Sequence, residues 1–427
     1  MRGRDPQLTY TRWVVMVTMA LYSAGHATIG FPLLLGGAVW RLVRRRPPLW
    51  HSTPLDLPLS VFGVILVISA FASAYPSLTV HPVILTIIPA VVVFGSFTWL
   101  VYHDPSSRTI LLKVWALGAV PAALVGMVAA TAAGDHRAQI PPERIGLGPN
   151  GLGTTLFLGS LVALGLAYRA RGRERVGWIV CGLVTLAGLL ATESRSSLIA
   201  WVVGTAYLTW REFRDRPRRM AAAFVSTAVA LVIGLGLAGM VVPAIAVRTQ
   251  HLFGDLIGDR LRIWQISFQI FRGHPWLGSG PGTFLVLFNQ LKPPGEEVKW
   301  SAHNLWLNYA VEMGALGFLS VLWVILTVFR AAGRMGRQLR DPYRSLATAM
   351  WIGLLIDQFG DNTLLSISTL MGFWLIIALL VVPLPTGSDD GDGNCQGDRP
   401  DDTLMVPSAA RPIPDHSPAP AGQRSYH

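Results

Sequence analysis

The side chains of this chain best suited to chemistry are one histidine, His303, with Asn304 beside it, and the arginines Arg195, Arg260, Arg262 and Arg272. Imidazole titrates near neutrality and can take a proton from a hydroxyl as that hydroxyl attacks. Guanidinium groups are always charged and forked, which suits them to a phosphate or pyrophosphate leaving group. Five of these six residues fall between 259 and 317, where DRLRIW, GHPWLGSGPGTF and HNLWLNYAVEMGALG follow one another. Cations and a histidine gathered in one stretch point to an anionic, lipid-linked substrate.

Each segment has its own logic. Residues 259 to 272 are expected to form an amphipathic helix, with Ile263, Trp264, Phe268 and Phe271 on an apolar face turned toward lipid and Arg262, Gln265, Gln269 and Arg272 on another. Gly273 ends that helix and Pro275 forbids its continuation. In GHPWLGSGPGTF, Gly278 and Gly280 permit close backbone approach, and exposed amides there would form an anion-holding concavity; a re-entrant turn is the structural alternative. No Gly-Lys-Ser/Thr follows, so this is not a P-loop. Arg195, in ATESRSSLIAW, lies between two apolar runs where a charge is costly, and either Glu193 or a substrate phosphate is expected to partner it. Glu312 follows His303 by nine residues, which puts it on the opposite side of a helix and excludes it as the histidine's partner there.

The elements that position these residues are membrane helices. Hydrophobic residues make up 52% of the 427 positions and charged residues 14%, too few charges to hydrate a soluble surface. Spans need about 20 apolar residues. Twelve are expected, at roughly 13 to 25, 27 to 43, 57 to 74, 83 to 102, 110 to 132, 152 to 168, 176 to 192, 196 to 210, 220 to 243, 304 to 329, 345 to 360 and 364 to 383. The first pair reads as a tight hairpin broken at Gly25, His26, Gly30 and Pro32, with eleven spans as the alternative. With the amino terminus inside, only nine of the 35 Lys and Arg residues face outward, so both termini are expected in the cytoplasm. The net charge of +11 is therefore a topology signal and not a nucleic-acid footprint. The two cysteines, Cys181 and Cys395, supply neither a disulfide framework nor a metal site.

The fold class is thus all-α and polytopic: residues 1 to 383 form one membrane domain with a large extracytoplasmic loop at 244 to 303, between spans nine and ten. Residues 384 to 427, rich in Asp, Gly, Pro and Ser, are expected to form a disordered cytoplasmic tail.

Taken in order, these residues resemble the O-antigen ligase and polymerase superfamily. Arg260, Trp264, Pro275, Gly278 and Gly280 match its loop pattern of Arg four residues before Trp and a Pro-x-x-Gly-x-Gly turn. His303, Asn304, Gly314 and Gly317 match its ligase signature without a gap. TESRSSL is similar to its Thr-x-Ser-Arg-Gly turn, with Ser196 for glycine, and GPNGLG resembles its Asn-Pro-Asn motif, with Gly148 departing at the first position. The resemblance implies a GT-C-like membrane glycosyltransferase of the cytoplasmic (inner) membrane. Its donor would be a glycan on undecaprenyl pyrophosphate and its acceptor a hydroxyl-bearing glycan or lipid, with no metal or cofactor. His303, Arg260 and Arg195 would be catalytic, and Arg262, Arg272, Asn304, Gly278 and Gly280 substrate-binding. Membrane lipids are the remaining partners, and no nucleic acid is implied. A polymerase that extends the lipid-linked glycan, and protein O-glycosylation, remain alternatives. A transporter is the rival from another class, with Asp357 and Asp361 as its foothold in the helices.

Overall fold

The computed structural model describes residues 6–44, 49–133, 137–140, 147–241, 256–338 and 343–383. The expected tail, and His136, Arg144 and Arg248 in segments expected to face outward, lie outside the described residues.

The nearly continuous apolar run of the amino terminus folds as two helices, α1 (Pro6–Ser23) and α2 (Ala27–Val43). Gly25 makes the turn between them at φ +88°, a left-handed conformation that glycine takes without a Cβ penalty. The chain continues through α3 (Asp56–Ala72), α4 (Pro76–Pro89), a π turn (Ala90–Phe94), α5 (Gly95–His103), α6 (Ser107–Ala133), α7 (Pro149–Arg169), α8 (Gly172–Ala191), α9 (Arg195–Phe213) and α10 (Pro217–Val241). Two helices outside the apolar pattern come next, α11 (Leu256–Gly273) and α12 (Phe284–Leu291). The last three are α13 (Leu305–Gln338), α14 (Arg344–Gly360) and, after a 3₁₀ turn (Thr363–Leu365), α15 (Ile367–Val381). No strand occurs among the described residues; one isolated bridge joins Ile140 to Leu147.

Among the described residues six helices are long and apolar enough to cross a membrane: Pro76–His103, Ser107–Ala133, Pro149–Arg169, Gly172–Ala191, Pro217–Met240 and Leu305–Arg334. Three shorter apolar helices, Ala27–Val43, Asp56–Ala72 and Thr369–Val381, accompany them.

Helix α7 is the axis of the bundle. Residues 152–163 are buried on every side, as a helix apolar all round should be. Small residues let its neighbours approach: a Cβ at Gly159 would stand 2.5 Å from that of Ala119, and one at Gly153 would stand 2.8 Å from that of Ser194. Close contact at Gly153 brings the start of α7 against the turn that opens α9, so residues near 150 and 195 share one end of the bundle. Helix α14 packs against both α7 and α9, and its last turn arrives at that same end.

Candidate functional site

Helix α11 is amphipathic as its periodicity requires, and of the expected apolar face Ile263 is buried, Trp264 and Phe271 pack against the same small core, and Phe268 stands outside it. Ile263, Ile266 and Ile270 are buried against Phe284 and Phe288 of α12 and Val311 of α13, forming a small core of their own. Phe268 is 48% exposed and carries the Arg272 guanidinium 4.6 Å above its ring. The isoleucines of that face meet protein. The face is centred on the three isoleucines, because α12 and α13 offer them a surface, and Phe268 falls beyond its edge.

The glycine-rich segment plugs a break in α13. Gly314 sits at φ 67°, ψ −167° inside that helix and kinks it. A kink leaves carbonyls and amides without intrahelical partners, which in an apolar setting costs several kcal/mol each. The turn supplies them: Ser279 and Gly280 amides donate to Val311 and Glu312 carbonyls at 3.0 and 2.9 Å, and Ala315 and Leu316 amides donate to Pro275 and Trp276 carbonyls at 2.8 and 3.2 Å. The fit is backbone to backbone. A Cβ at Gly278 would stand 2.3 Å from the Glu312 carbonyl carbon, and one at Gly314 would stand 2.3 Å from the Trp276 oxygen. Gly278 and Gly280 thus hold a re-entrant turn, and the Ser279 and Gly280 amides are spent on protein carbonyls instead of lining an anion concavity. Ser73 donates to the Ser279 carbonyl at 2.7 Å and Ser69 to that of Glu312 at 3.0 Å, fastening the turn to α3. The Glu312 carboxylate accepts the Phe284 amide at 3.3 Å, at the start of α12.

His303 precedes α13 with φ 47°, a left-handed conformation uncommon outside glycine. Asn304 is the helix cap: its Oδ1 accepts the Leu307 amide at 3.1 Å, which gives this side chain a structural task beside the substrate-binding one expected of it. The indole N–H of Trp264 donates to the Ala302 carbonyl at 3.1 Å, and Asn308 Oδ1 accepts the Ala302 amide at 3.2 Å.

The partner of His303 is Asp361, just past the end of α14, with Nδ1 3.4 Å from Oδ1. Asp361 also accepts from the Asn150 amide group, and Asn150 accepts in turn from Arg137 at 3.0 Å. Arg137 makes a second bond, at 3.0 Å, to the Thr192 carbonyl. Burial works to raise the Asp361 carboxyl. The hydrogen bond from His303, the Asn362 amide, the histidine's charge and Asn150 outweigh that and hold it below the ordinary carboxylate range. An ionised Asp361 can only accept, so the His303 Nδ1 facing it is the protonated nitrogen, and in the neutral imidazole Nε2 is then the acceptor.

One turn deeper, Asp357 accepts from Thr154 at 2.7 Å, Ser197 at 2.8 Å and Gln358 at 3.1 Å. These bonds join α7, α9 and α14 directly beneath Asp361. A buried carboxylate so engaged ties helices together, which weakens it as the foothold for ion passage.

Arg260 reaches the same place from α11. A Cβ at Gly360 would stand 3.4 Å from Arg260 Nη1 and 2.4 Å from the Cβ of Ser196, so the guanidinium lies between the end of α14 and the turn that carries Arg195. Among the described residues Arg260 makes no hydrogen bond or ion pair. Arg195 is the first residue of α9, preceded by Glu193 at φ 53°. Arg262 and Arg272 stay outside this convergence: Arg262 is exposed and 4.0 Å from Glu296, and Arg272 lies over Phe268.

The structure therefore joins His303, Arg260 and the Arg195 turn, and adds Asp361, Asn150 and Arg137 in places that sequence reasoning did not give them. Asp361 and Asn150 stand 58 and 211 positions from their partners, beyond any local spacing rule. Only the polar residues at helix ends of GPNGLG and DQFGDN hinted at them.

A bundle of apolar helices, several of them long enough to span a bilayer, is that of a multi-pass membrane protein, and one end of it carries a histidine–carboxylate pair and a guanidinium without a partner among the described residues. Residues 179–322 match the family model described as O-antigen ligase, and that segment belongs to the O-antigen ligase and polymerase superfamily. It covers about a third of the chain and contains Arg195, Arg260, Trp264, His303 and Gly314. No curated protein matches the chain.

Proposed function

We propose that the protein transfers a glycan from an undecaprenyl-pyrophosphate carrier to a hydroxyl acceptor at the outer face of the cytoplasmic membrane. The observation that carries this reading is Arg260, a guanidinium without a partner among the described residues, set beside the His303–Asp361 pair. A fixed cation beside a general base is what displacement of a pyrophosphate needs. His303 Nε2 removes the acceptor proton while Asp361 holds Nδ1–H and steadies the imidazolium that forms. The acceptor oxygen forms its bond to the anomeric carbon as the bond from that carbon to the pyrophosphate oxygen breaks, with inversion. Arg260 and Arg195 receive the charge that leaves with the carrier. Arg262 and Arg272 serve the rim, where they meet headgroups or substrate. No step calls on a metal, since guanidinium groups meet the leaving charge.

The reading sets twelve spans with both termini in the cytoplasm. Twelve helices support it: α1, α2, α3, α4 with α5 as one, α6 to α10, and α13 to α15, with α11 and α12 in the outer loop between the ninth and tenth.

Purified protein incubated with an undecaprenyl-pyrophosphate oligosaccharide and candidate acceptors is expected to transfer the glycan, and His303→Ala to lose about a thousandfold in rate. A glycan on a new acceptor identifies a ligase; a longer lipid-linked chain identifies a polymerase. Transfer retained by His303→Ala would remove the site assignment. Flux of solute through reconstituted vesicles, unaffected by His303→Ala, would replace the enzyme with a transporter.

A further inference from the structure

We infer that Trp264 and Asn308 are positioning residues that grip the backbone leading into His303 and so aim its ring; the inference rests on His303 being the base. A histidine at φ 47° holds a conformation that persists only where the surroundings over-determine it. Here they do. Ala302, fully buried, has its carbonyl held by the Trp264 indole and its amide by Asn308 Oδ1, at 3.1 and 3.2 Å. The His303 amide donates to Ser301 Oγ at 3.4 Å, and Asn304 is fixed as the cap of α13. The Ala302 carbonyl belongs to the peptide plane from which the φ of His303 is measured. Holding that oxygen sets the direction in which the imidazole leaves the chain, toward Asp361.

Trp264 also fixes a distance. It lies one turn after Arg260 on α11, and side chains four apart share a helix face. One turn of one helix thus carries both the guanidinium that faces the site and the indole that holds the base's peptide. The Arg-x-x-x-Trp spacing acts as a ruler between leaving-group cation and base. Asn308, 1% exposed on the first turns of α13, closes the grip from the histidine's own helix.

The test uses full-length protein and a fluorescent undecaprenyl-pyrophosphate disaccharide, with donor binding and single-turnover transfer measured on the same samples. Trp264→Phe and Asn308→Ala should keep the number of donor sites per molecule and a donor affinity within about twofold, yet lose about a hundredfold in transfer per bound donor. The sulfur isostere of tryptophan at 264, which lacks only the N–H, should fall with Trp264→Phe, separating the hydrogen bond from packing. Wild-type transfer per bound donor in these variants overturns the inference. So does a loss that only tracks lost binding sites, since that marks a role in folding. His303→Ala separates the two claims: if it fails while the Trp264 variants turn over normally, the grip alone is wrong. If it turns over normally, the base assignment is wrong. Wild-type protein that neither binds nor transfers the donor removes both.

Discussion

The two ends of the helix bundle hold arginines in opposite ways. At one end Arg108 donates to the Val382 carbonyl at 2.8 Å and Arg344 to that of Leu380 at 2.9 Å, so two buried guanidinium groups cap the last turn of α15. Positive charge at a helix C-terminus meets the free carbonyls and the negative end of the dipole. Nearby Arg169 is paired with Glu212, which also accepts from Ser345 at 2.7 Å. At the other end Arg260 has no such acceptor among the described residues, and it stands beside a histidine and a carboxylate that are themselves oriented. Guanidinium groups answered by backbone carbonyls serve the fold. One with no such acceptor among the described residues is the candidate to meet a ligand.

Four changes would break or sharpen that contrast. The largest effect should come from Gly278→Ala, whose methyl would meet the Glu312 carbonyl carbon at 2.3 Å in a left-handed backbone. It should cost about 3 kcal/mol or more, read as a fall in Tm and in the yield of monodisperse protein. The site end would then fail without any charge being touched. Arg260→Ala should lower transfer about ten- to a hundredfold, about 1.5 to 3 kcal/mol, while leaving Tm nearly unchanged. If its Tm falls instead, Arg260 belongs with the structural arginines and the contrast is lost.

Arg344→Ala is the mirror experiment. Losing a buried charged donor to Leu380 should cost about 1.5 kcal/mol of stability, with transfer per folded molecule unchanged. A rate loss at constant Tm would show that the far end also serves the chemistry. The smallest effect is the pH dependence of Asp361. Its carboxyl is held below the ordinary range, so its contribution to stability is present above the unfolded value of about 4 and is lost as pH falls through the lower folded value. The difference in Tm between wild type and Asp361→Asn should not shrink from about pH 8 to 5, where protonation of His303 can only strengthen the pair, and should shrink only below about pH 4. A difference that shrinks already near neutrality would mean that Asp361 is not ionised when it holds His303.

Much of the site could be read from local pattern. The helix of Arg260, its end at Gly273 and the start of a helix after His303 all follow from periodicity and from Gly, Pro and Asn at their usual posts. What failed did so for one reason. Phe268, read together with Ile263, Trp264 and Phe271, stands outside the small core those three join, and the Ser279 and Gly280 amides, expected to bind an anion, bind α13. In both cases the residue's task depends on what arrives from elsewhere in the chain, and a spacing rule contains only what its own segment brings.

By itself the sequence determined an all-helical membrane chain, the segments that carry the cations and the histidine, and the order in which they occur. Those follow from apolar run length, charge and period, which are properties of contiguous residues. Only the tertiary structure decided that His303 faces Asp361, that Asn150 and Arg137 stand behind that carboxylate, and that Arg260 remains without a partner among the described residues. Which polar groups are answered and which are left open depends on contacts between distant helix ends, where burial makes every unmade hydrogen bond costly and so selects one arrangement.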